Sequence, residues 1–313
     1  MSTRIMMILV ISLLVTACGD FGLFSPPQAF SEKTLSGSGT DKVALIHITG
    51  VISSIPKEGI FNSHPSVLQE ITAQLRLAQK DTSVKAIILA INSPGGSVTA
   101  SDILYNEINR IRMEGNKKIY TLMMDVAASG GYYIALASHS IMAHPTSITG
   151  SIGVIVTRIS IADTLESIGI ETSTVTSGAM KDMGSILRKP TPEETNIVRA
   201  IVDSMNTRFQ HLVTENRPQA QAHSLYKDGR ILTANQALDM GLIDSIGYFE
   251  DTLTQIKKEL NIEKVKVVTY RRTDFPDGTE YSNMSMKLGE ERFIPEAFSL
   301  EAGFHYLWLP NTL

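Results

Sequence analysis

The sequence predicts an α/β domain built from repeated β-α-β units around a largely parallel sheet. Three observations carry this. Val43–Ile48 and Lys85–Ile91 are short, nearly continuous apolar runs, the pattern of strands buried on both faces. Residues 65–80 between them place Val67, Leu68, Ile71, Leu75 and Leu77 at helical spacing, so one amphipathic helix joins the two strands. Glycine-rich turns close strand-like runs and open into helices, at Asn92–Val98 and again at Asp125–Ala135, and in open α/β sheets ligands bind at that end of a strand. With 313 residues, 43% hydrophobic and 19% charged, the chain can bury one large core. A net charge of −4 argues against a nucleic-acid-binding surface.

At the N-terminus, Arg4 precedes the apolar run Ile5–Val15, too short for the roughly 20 residues of a spanning helix and suited to a signal-peptide core. It ends in Val15-Thr16-Ala17-Cys18, which holds the only cysteine of the chain. Residues 1–18 resemble a bacterial lipoprotein signal, in which the cysteine thiol receives a lipid before cleavage; an ordinary secretory signal or a short membrane anchor would use the same residues differently. The resemblance implies a lipid-anchored protein of the bacterial cell envelope, with its folded part on the extracytoplasmic side. Residues 19–40, with Pro26-Pro27 and Ser36-Gly-Ser-Gly39, read as a flexible tether. The expected domain spans residues 41–260, followed by an extension over 261–313.

Within the domain, Asn92-Ser-Pro-Gly-Gly-Ser-Val98 leads into a helix with Ile103, Leu104, Ile108 and Ile111 on one face, and Thr99 with Asp102 has the spacing of a capping box. Gly95 and Gly96 would let backbone N–H groups face a substrate carbonyl, although a plain Pro-Gly turn needs the same residues. Lys118–Met124 reads as a strand, Ser129 as the corner after it, and Tyr132–Ala137 as helix. Small residues around Ser129 suit either a reactive hydroxyl or a tight packing turn. Thr149–Val156 reads as a glycine-hinged turn entering a strand, Ile161–Ile168 as a short helix and Thr172–Thr176 as a strand. Ser177–Ser185 is then a loop holding Lys181. Thr191 caps a long amphipathic helix over Pro192–Glu215 with Ile197, Ile201, Met205, Phe209 and Leu212 on its apolar face. Thr233–Met240 is a short helix ended by Gly241, Lys264–Tyr270 a strand, and Phe304–Pro310 an apolar patch with no legible partner.

None of the seven histidines forms a His-x-x-x-His pair, no phosphate-binding glycine loop occurs, and Gly-x-Ser-x-Gly is absent. No metal or cofactor is therefore expected. A serine nucleophile without a histidine partner needs another base, and a lysine drawn into a pocket, where loss of water favours the neutral amine, can supply it. Asn92-Ser-Pro-Gly-Gly-Ser-Val98, Ala128-Ser-Gly-Gly-Tyr-Tyr133 and Ser177-Gly-Ala-Met-Lys-Asp-Met-Gly-Ser185, in that order, resemble the short form of bacterial signal peptide peptidase A. Thr149-Gly-Ser-Ile-Gly-Val154, Thr191-Pro-Glu-Glu194 and Ala237-Leu-Asp-Met-Gly-Leu-Ile-Asp244 are also similar to that family.

The resemblance covers roughly residues 42–258 and implies a Clp-protease-like, crotonase-type α/β fold of repeated β-α-β units. It implies a homo-oligomer with sites shared between subunits, acting on peptides in or near the membrane. By matching positions, Ser129 would be the nucleophile and Lys181, 52 residues downstream, the general base from a neighbouring subunit. Gly96 and Gly130 would form the oxyanion hole, and Ser151 would orient the lysine. The sequence departs from the family at Ala179-Met180, at Ile186-Leu187 and in its lipid-type signal. A crotonase-type acyl-CoA enzyme and an inactive peptide-binding scaffold are the competing expectations.

Overall fold

The computed structural model describes residues 29–58, 63–272 and 303–308. Strand β1 (Phe30–Gly37) is followed by β2 (Lys42–Thr49), a small antiparallel pair β3 (Lys57–Glu58) and β4 (Ser63–His64), and helix α1 (Val67–Lys80). Ser66 caps α1, accepting from Gln69 N while the Gln69 side chain accepts from Ser66 N. Strand β5 (Val84–Ser93), the short β6 (Gly95–Ser97) and helix α2 (Val98–Glu114) come next, then β7 (Lys118–Ala128), helix α3 (Gly130–Ala135), β8 (Ser140–Ala143) and β9 (Ile148–Gly150). The chain continues through helix α4 (Ala162–Ser167), the long α5 (Pro192–Asn216), β10 (Ile231–Thr233), α6 (Ala234–Asp239), β11 (Ser245–Ile246), α7 (Phe249–Leu260), β12 (Lys266–Arg272) and β13 (His305–Leu307).

The main sheet has the order β1-β12-β2-β5-β7-β8-β11 and is parallel from β12 to β11. Its central strands read as unbroken apolar runs because both faces are covered. Ala44, Ile46, Ile48, Ile87, Leu89 and Ile91 pack into the core beneath α1, α2, α3 and α5, whereas Val43, Leu45, Ala86, Ile88 and Ala90 pack against Phe249, Leu253 and Ile256 of α7. At about 1.5–3 kcal/mol for each large side chain buried, these two layers supply the driving force that holds the sheet.

Several sequence expectations are corrected. The stretch read as tether contains β1, an edge strand antiparallel to β12; its alternation of half-buried and exposed polar residues hides it from an apolar-run criterion. Lys42 ties it down through Glu32 at 2.7 Å. The start of the C-terminal extension is likewise part of the fold, since β12 (Lys266–Arg272) lies inside the main sheet between β1 and β2. Thr172–Thr176 and residues 151–156 form no regular strand, and Ser97 rather than Thr99 caps α2. Cys18 and residues 19–28 lie outside the described residues.

Candidate active site

The end of β7 changes partners. Tyr120–Met123 pair with β8, but Val126–Ala128 pair with β9, so the end of the strand is held by a different neighbour. Ser129 follows with φ 52° and ψ −115°, a conformation that costs a non-glycine residue about 1–3 kcal/mol and persists only where its surroundings over-determine it. Here they do. The Ser129 N–H donates to Gly150 O at 2.8 Å, and its carbonyl accepts from Tyr133 N at 2.8 Å.

Helix α3 is locked behind the corner by two fully buried tyrosines. Tyr132 donates to Leu242 O at 2.8 Å, and Tyr133 donates to Asp102 Oδ1 at 2.6 Å. Arg208 of α5 also reaches Asp102 Oδ1, at 2.6 Å, so three helices meet on one carboxylate. Burial, with the carboxylate beside the phenol, pushes Tyr133 upward and keeps it a neutral donor.

Ser129 is 1% exposed, and among the described residues its Oγ has no hydrogen-bond partner. A buried hydroxyl without a partner costs about 1–3 kcal/mol. Strain and an unsatisfied hydroxyl thus coincide at one residue, a combination that costs stability and clusters at functional sites.

The glycines beside it are required by close approach. A Cβ on Gly130 would come within 2.6 Å of Ser101 Oγ and 3.1 Å of Gly96 N, and one on Gly131 within 2.7 Å of Ser93 O. A Cβ on Gly95, at φ 110°, would overlap Tyr306 O and lie 2.8 Å from Gly130 N. The Ser93 hydroxyl fixes this turn, donating to Gly50 O at 2.7 Å and accepting from Gly95 N at 3.1 Å. The backbone amides of Gly96 and Gly130 therefore belong to two abutting loops, and the Gly130 N–H, first in its helix, has no intrahelical acceptor. Such N–H groups can stabilise an oxyanion.

Ser151 stands directly after Gly150, whose carbonyl holds Ser129. It is also in a left-handed conformation, at φ 51°, and its N–H donates to Arg230 O at 2.7 Å. Lys181 is elsewhere. It is exposed, and nothing within the chain bonds it to Ser129 Oγ. Its loop is held by Arg188, which reaches Asp182 at 2.7 and 2.8 Å and also grips Glu194. The guanidinium holds both carboxyls below the ordinary carboxylate range. One chain thus gathers Ser129, Gly96, Gly130 and Ser151, and leaves Lys181 apart.

Sequence reasoning missed Ser101, whose buried Oγ also lacks a partner beside Gly130, and the Tyr133–Asp102–Arg208 link. The Asp102 signal was present and was read as a cap. Among the described residues no group of three or more His, Cys, Asp and Glu side chains is placed to hold a metal ion. Nor is any described helix long and apolar enough to cross a membrane.

Comparison with known proteins gives this site a context. Residues 112–263 match the family described as Peptidase family S49, and residues 60–149 match Clp protease. A protein of Enterococcus faecium provisionally named signal peptide peptidase SppA is 36% identical over 258 residues, covering 82% of this chain and 75% of the relative. The chloroplastic serine protease SPPA of Arabidopsis thaliana is 30% identical over 246 residues, 76% of this chain and 36% of that longer protein. Among solved structures, a ClpP1 mutant of Listeria monocytogenes superposes with a TM-score of 0.44 at 20% identity, over 67% of this chain and 94% of the other. With its parallel sheet, Clp-protease match and strained serine corner, the chain belongs to peptidase family S49 and is a serine peptidase of Clp-protease-like α/β fold.

Proposed function

We propose that the protein is an endopeptidase with a Ser129–Lys181 dyad completed between neighbouring subunits, anchored to a bacterial membrane through a lipid on Cys18. The observation that carries this reading is Ser129 itself: strained, buried and unpartnered at Oγ, with the Gly96 and Gly130 loops abutting beside it. A neighbour's Lys181, in its neutral form, takes the Oγ proton as Oγ attacks a peptide carbonyl carbon. The Gly96 and Gly130 N–H groups receive the developing oxyanion, and Ser151 orients the amine. The tetrahedral species collapses as the leaving nitrogen takes the proton; water, deprotonated by the same amine, then hydrolyses the acyl-enzyme. The substrates are peptides in or near the membrane, chief among them remnant signal peptides, in keeping with the name of the Enterococcus relative.

A fluorophosphonate probe tests the nucleophile. Stoichiometric adduct on Ser129 in the assembled protein, absent in Lys181→Ala, supports the dyad; an adduct on another serine contradicts it.

A further inference from the structure

Strands β5 and β7 run in register as far as the pair Ile91 and Met123, and meet again at Ser93 and Ala127. Between these pairs β5 places one residue, Asn92, while β7 places three, Met124, Asp125 and Val126. The strand that ends in Ser129 therefore bulges, in the stretch where it exchanges β8 for β9. Bulges recur beside active sites because they re-aim the chain that follows them.

A bulge gives up ladder bonds, and here side chains replace them. Asn92 crosses to β7 with both ends of its amide: Oδ1 accepts from Val126 N at 3.2 Å, and Nδ2 donates to Asp125 Oδ2 at 3.2 Å. From the β9 side the Ser147 hydroxyl reaches Met124 O and also Met123 O, 2.9 Å away, and Thr149 Oγ1 donates to Ala127 O at 2.7 Å. The Asn92 backbone is engaged on its other edge, its carbonyl accepting from Gly50 N at 3.0 Å. Its side chain is thus what ties β5 to the bulge.

The next residue holds the other half of the site. Ser93 Oγ bonds Gly50 O and Gly95 N, which fixes the turn that carries Gly96. Adjacent residues of one strand thereby set the nucleophile's strand and the oxyanion turn against each other. At position 92 an amide is needed: aspartate lacks the donor, and leucine, of similar shape, lacks both groups.

We propose that Asn92 is a positioning residue for Ser129, its amide clamping the β7 bulge and so setting where Oγ stands relative to the Gly96 and Gly130 amides. It acts through the backbone of residues 126–129, with Asp125 as its partner in the clamp. This rests on the Ser129 peptidase reading. Loosening the clamp slows bond formation at Oγ, because a misplaced nucleophile loses rate rather than affinity.

The test is labelling of Ser129 by a rhodamine fluorophosphonate in the assembled full-length protein, resolved into a limiting rate and a half-saturating concentration. Asn92→Leu should lower the limiting rate by about tenfold or more and leave the half-saturating concentration unchanged. Asn92→Asp keeps the acceptor for Val126 N but sets a second carboxylate against Asp125, and its limiting rate should fall as well. Adding Asp125→Asn to Asn92→Asp re-forms the clamp with donor and acceptor exchanged, and should restore about half or more of the wild-type rate. These two exposed or half-exposed positions keep the test open should Asn92→Leu fail to fold. Leu253→Ala, in the layer under α7, is the stability control: its Tm should fall and its limiting rate should not. A wild-type limiting rate in either single variant, a loss confined to the half-saturating concentration, no recovery in the double variant, or an equal loss in Leu253→Ala overturns the positioning role and leaves the peptidase reading standing. No labelling of Ser129 in the assembled wild type overturns both.

Discussion

Two regions of this molecule, the Ser129 corner and the segment from Ile159 to Lys189, are built on opposite principles. At the corner the ties run to residues distant in sequence: the Ser129 N–H donates to Gly150 O, and the Tyr132 and Tyr133 hydroxyls donate to Leu242 O and to the Asp102 carboxylate. In the other segment the contacts are local and large apolar side chains face solvent, among them Ile159, Ile168 and Ile170, with Val175 97% exposed. Its firmest tie is Arg188, which joins Asp182 to Glu194 at the start of α5. On the proposed dyad, the difference teaches that the nucleophile is prebuilt in the single chain whereas the lysine rides on a segment whose apolar exposure suits contact with a partner.

The largest effects expected from this contrast are chemical. Ser129→Ala and Lys181→Ala should each lower peptidase activity by about 10⁴-fold or more. Thermal unfolding should separate them from damaged folds: Ser129→Ala removes a strained, unsatisfied hydroxyl and should not lower Tm. A Lys181→Ala enzyme retaining a tenth of parental activity would break the assignment of the base.

Next comes Gly130→Ala. The added methyl meets Ser101 Oγ and the Gly96 amide, which costs about 1–3 kcal/mol of stability and disturbs the oxyanion loop. Adding Ser101→Gly should recover much of the Tm and little of the activity, measured by calorimetry and peptide hydrolysis. Full recovery of both would mean that Gly130 is there for packing alone.

Packing sharpens the contrast between the regions. Phe209→Ala, in the aromatic cluster behind the corner, should destabilise the monomer by about 3–5 kcal/mol. Ile168→Ser, on the exposed segment, should stay within about 0.5 kcal/mol in the dilute monomer. Its effect should instead appear as a higher protein concentration needed for activity, read by sedimentation alongside the assay.

The smallest effect concerns pH. Asp182 and Glu194 are both held below their ordinary range by Arg188, so their stabilisation of the loop is fully present above the unfolded carboxylate values and lost as pH falls through the depressed ones. Hydrogen exchange over residues 178–190 of Ser129→Ala should therefore accelerate below about pH 4 while the β7 amides stay protected. Arg188→Gln should show the faster exchange already at neutral pH. Activity itself should rise toward alkaline pH, because the neutral amine is the base.

How much of this was legible depended on whether a residue's role was written in its neighbours. The central strands announce themselves because both faces are apolar, and Thr191 and Thr233 cap their helices as their spacing requires. The strand-to-helix corner at Ser129 was legible through the small residues that close approach demands. Strand β1 was not, since an edge strand with one covered face alternates polar residues and resembles a linker. Nor was the pairing of β13 with β6, which joins residues about 210 positions apart and rests on backbone bonds that no side-chain pattern reports. Thr149–Val156 was read as a glycine-hinged turn entering a strand, but the strand, β9, precedes the turn, because Ile152, Val154 and Ile155 suit either conformation.

The central claim is that Ser129 and Lys181 act together from different subunits, and mixing two inactive variants measures this directly. Ser129→Ala and Lys181→Ala, dissociated, combined in equal amounts and reassembled, should regain about a quarter of wild-type peptidase activity, since random assembly in a symmetric oligomer pairs an intact serine with a neighbour's intact lysine at that frequency. Reassembled mixtures as inactive as either variant alone, at the same oligomeric size as wild type, would contradict it.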